Sequence, residues 1–476
     1  MKSILIRGGH VLTMDADLGD LADADVFVRD GRIVDVGSNL PARGADVVEA
    51  TGKIVAPGFV DGHRHAWQSL LHGLATDWSF PKYMRWVRGG YGGCFDAEDA
   101  YLANYLGGLE AVSAGTTTVV DHSHLQTSVE IGEALVRGTW DSGVGGYFAY
   151  AFQNSPDWLG DGYEDADALN DMLTRAPDTW HDESFRKVRR TLETLDVTGS
   201  GRLELGAALP EITPYLPVDT VRPLLERIRA LNPAMITSHW NAAVQDGQYL
   251  STMGALVDEG HFDGTTVLAH CNQLNRDDLA TMARAGIGLA TAPGTESGMG
   301  LGPLMGRRLV ERGGHAVLGV DTTCYGQSDL LGQARMLLEA ERRDAAAAAG
   351  SVPQELVWSA RGALELATIT GARAVGLGDV VGSLTPGKRA DVVVVSPDDI
   401  RSRPGADPVA TLISYSGPGD IDTVVIDGEL RKRGGALLGV DTAALARRCA
   451  RSATVIRERA AALPPVVIDG AWRGMF

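Results

Sequence analysis

Cysteine is scarce in this 476-residue chain: Cys94, Cys271, Cys324 and Cys449 are widely spaced, with no CxxC pair. That scatter excludes a disulfide scaffold and fits reduced thiols in a cytoplasm. Basic charge is also short. Lys and Arg number 43 against 61 Asp and Glu, giving −18 net with no basic stripe, so nucleic acid is not an expected partner. No apolar run approaches the about 20 residues of a membrane span. The opening Met1-Lys-Ser-Ile-Leu-Ile-Arg-Gly has no apolar core long enough for a signal peptide. The expectation is a cytoplasmic protein without membrane contact. Several catalytic signatures are missing: HExxH, a Walker loop, a GxSxG elbow, and H-x-E with PCxxC. Lysine is absent between Lys187 and Lys388.

What is present begins with His63-Arg64-His65, which ends the apolar run Lys53-Ile-Val-Ala-Pro-Gly-Phe-Val-Asp-Gly. Two His two residues apart on an extended segment share a side, so both imidazoles can reach one metal ion. The run is read as a strand over Ile54–Val60 that breaks at Asp61-Gly62. His239, His270 and Asp321 close three later apolar runs. Strand candidates follow at Thr116–Val120, Gly145–Tyr150, Leu203–Leu209, Ala234–Thr237, Thr266–Ala269, Gly286–Ala290 and Ala316–Val320. Helix-like stretches such as Ala100–Ser113, Val218–Leu231 and Arg276–Ala285 separate them, which predicts βαβ units. Eight such units make a (β/α)8 barrel, whose chemistry sits at the C-terminal strand ends. On that count the His pair falls on strand 1, His239 on strand 5, His270 on strand 6 and Asp321 on strand 8.

Pro57-Gly-Phe-Val-Asp-Gly-His-Arg-His, with Gln68 completing an HxHxxQ pattern, resembles the strand 1 signature of the amidohydrolase superfamily, in its deaminase and triazine-hydrolase branch. Gly115-Thr-Thr-Thr-Val-Val-Asp-His, Leu268-Ala-His-Cys and Leu318-Gly-Val-Asp are similar to its strand 2, 6 and 8 segments. Gly382-Ser-Leu-Thr-Pro-Gly-Lys-Arg-Ala-Asp resembles the return to a small β-sandwich. The resemblance covers nearly the whole chain. It implies a TIM-type barrel over residues 57–381 and a β-sandwich built from residues 1–56 and 382–440. Residues 441–476 then read as an amphipathic helix, Asp441–Leu463, and a loose tail available for an oligomer contact. A homodimer or higher homo-oligomer is expected.

The implied ligand set is His63, His65, His239 and Asp321, three imidazoles and a carboxylate. It suits one divalent ion, Zn²⁺ first and Fe²⁺ as the alternative. Binuclear relatives bridge their metals with a carboxylated Lys on strand 4, which the lysine-free stretch excludes. Asp321 is the expected base for a metal-activated water. His270 has two readings, as a ligand or as a hydrogen-bonding catalytic residue. His122 and His124 also end a strand; His122 fits a family position, and roles in supporting the ligands or in packing stay open for both.

Two departures matter. Relatives carry Glu three residues after the strand 5 His, where Ala242 stands here, and often a second His where Gln273 stands. The usual proton relay is therefore missing. Glu211 and Glu296 occur where relatives usually have no carboxylate. Each can replace the lost acid, bridge a second metal or bind a cationic substrate group. Glu211 is the preferred acid, because burial in an apolar pocket should raise its pKa.

Trp67, Trp78, Phe80, Tyr83, Trp86 and Tyr91 crowd the loop after strand 1, and Phe152, Trp158 and Tyr163 the loop after strand 3. Aromatics at this face suit a flat cyclic substrate, and they suit oligomer packing nearly as well. Gln68, Trp86, Asn241 and Glu296 are the expected substrate contacts. The expected activity is hydrolysis of a C–N or related bond in a cyclic small molecule, deamination above all. The missing relay leaves metal-assisted C–C cleavage, lyase or hydratase chemistry as the alternative, and a non-catalytic scaffold as the third reading.

Overall fold

The computed structural model describes residues 3–42, 44–160, 162–241, 243–245, 248–397 and 407–473. Eight parallel strands follow one another around a barrel in chain order: Phe59–Arg64, Thr116–Ser123, Gly145–Ala151, Leu203–Ala208, Ile236–Trp240, Thr266–His270, Gly288–Thr291 and Ala316–Leu318. The intervening helices start and stop where local chemistry directs. Asp96 caps Ala97–Ser113 in a reciprocal capping box with Asp99. Asn275 caps Arg276–Ala285, which ends at Gly286 in the left-handed conformation.

A nine-stranded mixed sheet joins the two ends of the chain. Val392–Val395 runs antiparallel to Ile54–Pro57, with Val393 opposite Ala56, and so stitches the C-terminal strands onto the N-terminal ones. The run read as one strand from Ile54 to Val60 is in fact divided. Ile54–Pro57 belongs to this sheet and Phe59–Arg64 to the barrel, with Gly58 between them. Nor does the barrel strand break at Asp61-Gly62; it continues to Arg64 and carries His63 within it.

That continuation depends on Gly62. A Cβ there would stand 2.1 Å from Val317 Cγ1 on strand 8, so only glycine lets the first and last strands approach this closely. The seam then closes on the site residues themselves. Asp321 N donates to His63 O at 2.8 Å, and His65 N donates to Asp321 O at 3.1 Å.

The C-terminal helix Thr442–Ala461 lies against the start of helix Ala97–Ser113. Arg459 donates to Asp96 (2.9 Å), Asp99 (2.7 Å) and the Cys94 carbonyl (2.9 Å). The stretch expected to be a loose tail folds into Pro465–Asp469, and Trp472 is only 1% exposed within the barrel-side core. No helix among the described residues is long and apolar enough to cross a membrane.

Candidate active site

Strands 1, 5 and 8 bring His63, His65, His239 and Asp321 together at the C-terminal mouth, with one donor atom of each within 4.8 Å of all the others. His239 Nε2 stands 3.1 Å from His63 Nε2 and 3.3 Å from His65 Nε2. Asp321 Oδ1 lies 3.4 and 3.2 Å from the same two nitrogens. Zinc bonds of ~2.0–2.1 Å in a tetrahedron would place donors about 3.4 Å apart, so the spacing fits such an ion.

The protonation pattern points the same way. His65 Nδ1 lies 2.8 Å from the His122 carbonyl, which can only accept, so Nδ1 holds the proton. His239 Nδ1 donates to Glu211 Oε2 at 2.7 Å. Both Nε2 atoms therefore present lone pairs to the same point. Two acceptors do not hydrogen-bond each other, whereas a cation between them satisfies both.

Glu211 follows strand 4 and is nearly buried. Burial alone would raise its carboxyl pKa, but His239 and the Arg88 guanidinium outweigh that and hold it down at about 2. The expectation of a pKa raised into the general-acid range is overturned: Glu211 is an ionised partner of His239, with Arg88 Nε 3.5 Å from Oε1. Glu296 sits in the short helix Pro293–Gly298 after strand 7 and is fully buried. It accepts from His270 Nδ1 (3.1 Å), Ala292 N (2.8 Å), Thr291 Oγ1 (3.0 Å) and Asn272 Nδ2 (3.3 Å). Those four donors leave it behind His270, so it is not the substrate contact expected from sequence.

His270 closes strand 6, and its Nε2 is 3.9 Å from Asp321 Oδ2, outside the four-atom cluster. Burial disfavours charge on His270, but Glu296 and Asp321 outweigh it and raise its pKa. Burial likewise opposes charge on Asp321, yet the imidazoles of His63, His65 and His270 around it keep its pKa well below the usual carboxylate range. His270 and Asp321 both hold left-handed backbones, with φ of 72° and 64°. Such strain in non-glycine residues concentrates at functional positions.

His122 lies flat on His239, with ring centroids 4.3 Å apart. His124 stacks on His65 at 4.1 Å and accepts from Trp67 Nε1 at 2.8 Å. These rings brace two of the converging imidazoles.

The pocket above the cluster offers about 50 Å³ of free volume and is walled by Phe80, Tyr83, Met84, Tyr215, Trp240 and Leu301. Asn241 lines it, and its Oδ1 accepts from Asn272 N at 3.0 Å. Two other expected contacts lie elsewhere. Gln68 is fully buried, donating to Tyr83 OH at 2.7 Å while accepting from Cys324 Sγ. Trp86 turns outward, its Nε1 donating to Asp469 at 3.0 Å. Ala242 lies outside the described residues, and Gln273 is exposed. Sequence reading missed Arg88, Tyr215 and Trp240; only Trp240, adjacent to His239, carried a positional hint.

The chain matches the amidohydrolase family over residues 54–431. It is 27% identical over 445 residues to a 5-methylthioadenosine/S-adenosylhomocysteine deaminase of Thermococcus kodakarensis, covering 90% of this chain and 93% of the relative. A 5'-deoxyadenosine deaminase of Methanosarcina acetivorans is 27% identical over 449 residues, with 90% and 93% covered. Among solved structures, a zinc-bound adenosine deaminase from Xanthomonas campestris superposes with a TM-score of 0.77 at 22% identity, covering 96% of this chain and 99% of that one. A variant of atrazine chlorohydrolase from Arthrobacter aurescens, complexed with zinc and atraton, gives 0.75 at 21% identity, with 94% and 100% covered. With a family match across most of its length and this cluster at the barrel mouth, the chain belongs to the amidohydrolase family and is a metal-dependent hydrolase of that kind.

Proposed function

We propose that this enzyme hydrolyses a C–N bond of a heterocycle, by deamination, at a single Zn²⁺ or Fe²⁺ held by His63, His65, His239 and Asp321. The observation that carries the reading is the meeting of bare Nε2 atoms and the Asp321 carboxylate beneath an aromatic-walled pocket. A bound divalent ion supplies Lewis acidity and brings the pKa of water from ~15.7 to about 7. The rest is done by side chains. Asp321 Oδ2, on the side away from His63 and His65, accepts the proton of the attacking water and returns it to the leaving nitrogen. His270, its Nδ1 fixed by Glu296, turns Nε2 toward the reacting centre and hydrogen-bonds the oxygen or nitrogen that gains charge there. The named relatives act on nucleosides, and the ring faces of Phe80, Tyr83, Tyr215 and Trp240 around the pocket suit a flat ring.

The test is ammonia release from a panel of amino-substituted pyrimidines, pyridines and triazines by zinc- or iron-reconstituted enzyme, with His239→Ala as control. Metal-dependent release that the variant loses is expected. A fully metal-loaded enzyme that releases no ammonia from any member would overturn deamination and favour C–C cleavage, lyase or hydratase chemistry.

A further inference from the structure

The charges around the pocket are unequal. Asp321 and Glu211 line it, while among its described lining residues there is no Lys or Arg. Arg88, a nearby guanidinium, is 2% exposed and is held behind the wall by Glu211 Oε1 at 3.5 Å and the His124 carbonyl at 3.5 Å. Glu296 adds a third buried carboxylate one residue deeper, against His270.

We infer that the site admits an uncharged or cationic heterocycle and rejects one bearing a carboxylate, sulfonate or phosphate. An anion entering this pocket loses its water and meets no Lys or Arg among the described lining residues, while His270 already faces Glu296 at 3.1 Å and Asp321 at 3.9 Å. A ring N–H or an amidinium meets the opposite situation. Glu211 Oε2 is taken by His239 Nδ1, but among the described residues Oε1 has only the long Arg88 contact and keeps lone pairs for a donor. Phe80, Tyr83, Tyr215 and Trp240 around it supply ring faces that attract a cation more than an anion. The inference rests on the heterocycle reading above for the ring, and on the wall residues for the charge.

Its test reads binding, so it stands apart from turnover. Benzamide, benzamidine and benzenesulfonate share one ring and differ in charge; the sulfonate is chosen over a carboxylate as a poor zinc ligand. Calorimetry on the zinc-loaded enzyme should show benzamide and benzamidine binding at least about tenfold (~1.4 kcal/mol) tighter than benzenesulfonate. Leu301→Arg, at the rim and outside the metal cluster, should narrow or reverse that order by strengthening the sulfonate and weakening the amidine. Benzenesulfonate binding the wild type as well as benzamide would overturn the inference. So would failure of all three to bind, even if ammonia release from another heterocycle is observed.

Discussion

The Nε2 atoms of His65 and His239 stand 3.3 Å apart while both rings hold their proton on Nδ1, one toward a carbonyl and the other toward a glutamate. Two lone pairs brought this close repel unless a cation lies between them. The strand geometry keeps them there, because His65 is tied to strand 8 through the Asp321 carbonyl.

The first prediction concerns metal content. Purified enzyme should hold one Zn²⁺ or Fe²⁺ per chain, and chelation should lower Tm in a way that added zinc reverses, since a ligand bound by the native state stabilises it. Elemental analysis of wild type and His63→Ala checks this; a His63→Ala protein that keeps full metal content would rule out the assigned ligands.

Glu211 fixes the ring that presents His239 Nε2. Partners of this kind contribute about 10–100-fold to metal affinity, so Glu211→Ala should weaken zinc binding by that factor in a folded protein. Competition against a chromogenic chelator measures it. Unchanged zinc affinity would show that His239 needs no carboxylate behind it.

Asp321→Asn keeps the shape of the side chain and removes its proton-accepting charge. Turnover should fall by orders of magnitude while circular dichroism and thermal unfolding stay close to wild type. Near-normal kcat in a folded, metal-loaded variant would place the base elsewhere.

Trp472 anchors the last helix among the described residues and is 1% exposed. Trp472→Ala removes a fully packed side chain and should cost about 3–5 kcal/mol in denaturant unfolding. Gly89, whose Cβ would approach the Ala471 Cβ at 3.1 Å, lies in the same contact, so the loop behind Tyr83 should loosen as well.

The barrel and four of its polar strand ends were legible in sequence because each chemical residue terminates an apolar run that the chain must bury. The partner of a side chain is another matter, since it comes from a neighbouring strand. Glu211 after strand 4 meets His239 on strand 5, and Glu296 after strand 7 meets His270 on strand 6. Linear spacing marked both carboxylates as unusual and could not say which nitrogen each would face. The division of Ile54–Val60 was hidden for a related reason: one unbroken apolar run serves two sheets, and only Gly58, packed against Thr117, marks where they part. Trp86 and Gln68 were assigned by loop position, while their hydrogen-bond partners, Asp469 and Tyr83, decide where they point.

The closing seam of the barrel has a dynamic consequence. The amides that join strand 8 to strand 1 belong to Asp321 and His65, the same residues whose side chains meet at the candidate metal centre. Opening the barrel at this edge and dispersing the cluster are thus one motion. Amide hydrogen exchange at His65 and Asp321 should slow by the full binding free energy of the ion when exchange requires that opening, while amides on strands 2 to 4 should respond less. The ion would then serve as the latch of the barrel as well as the centre of its chemistry.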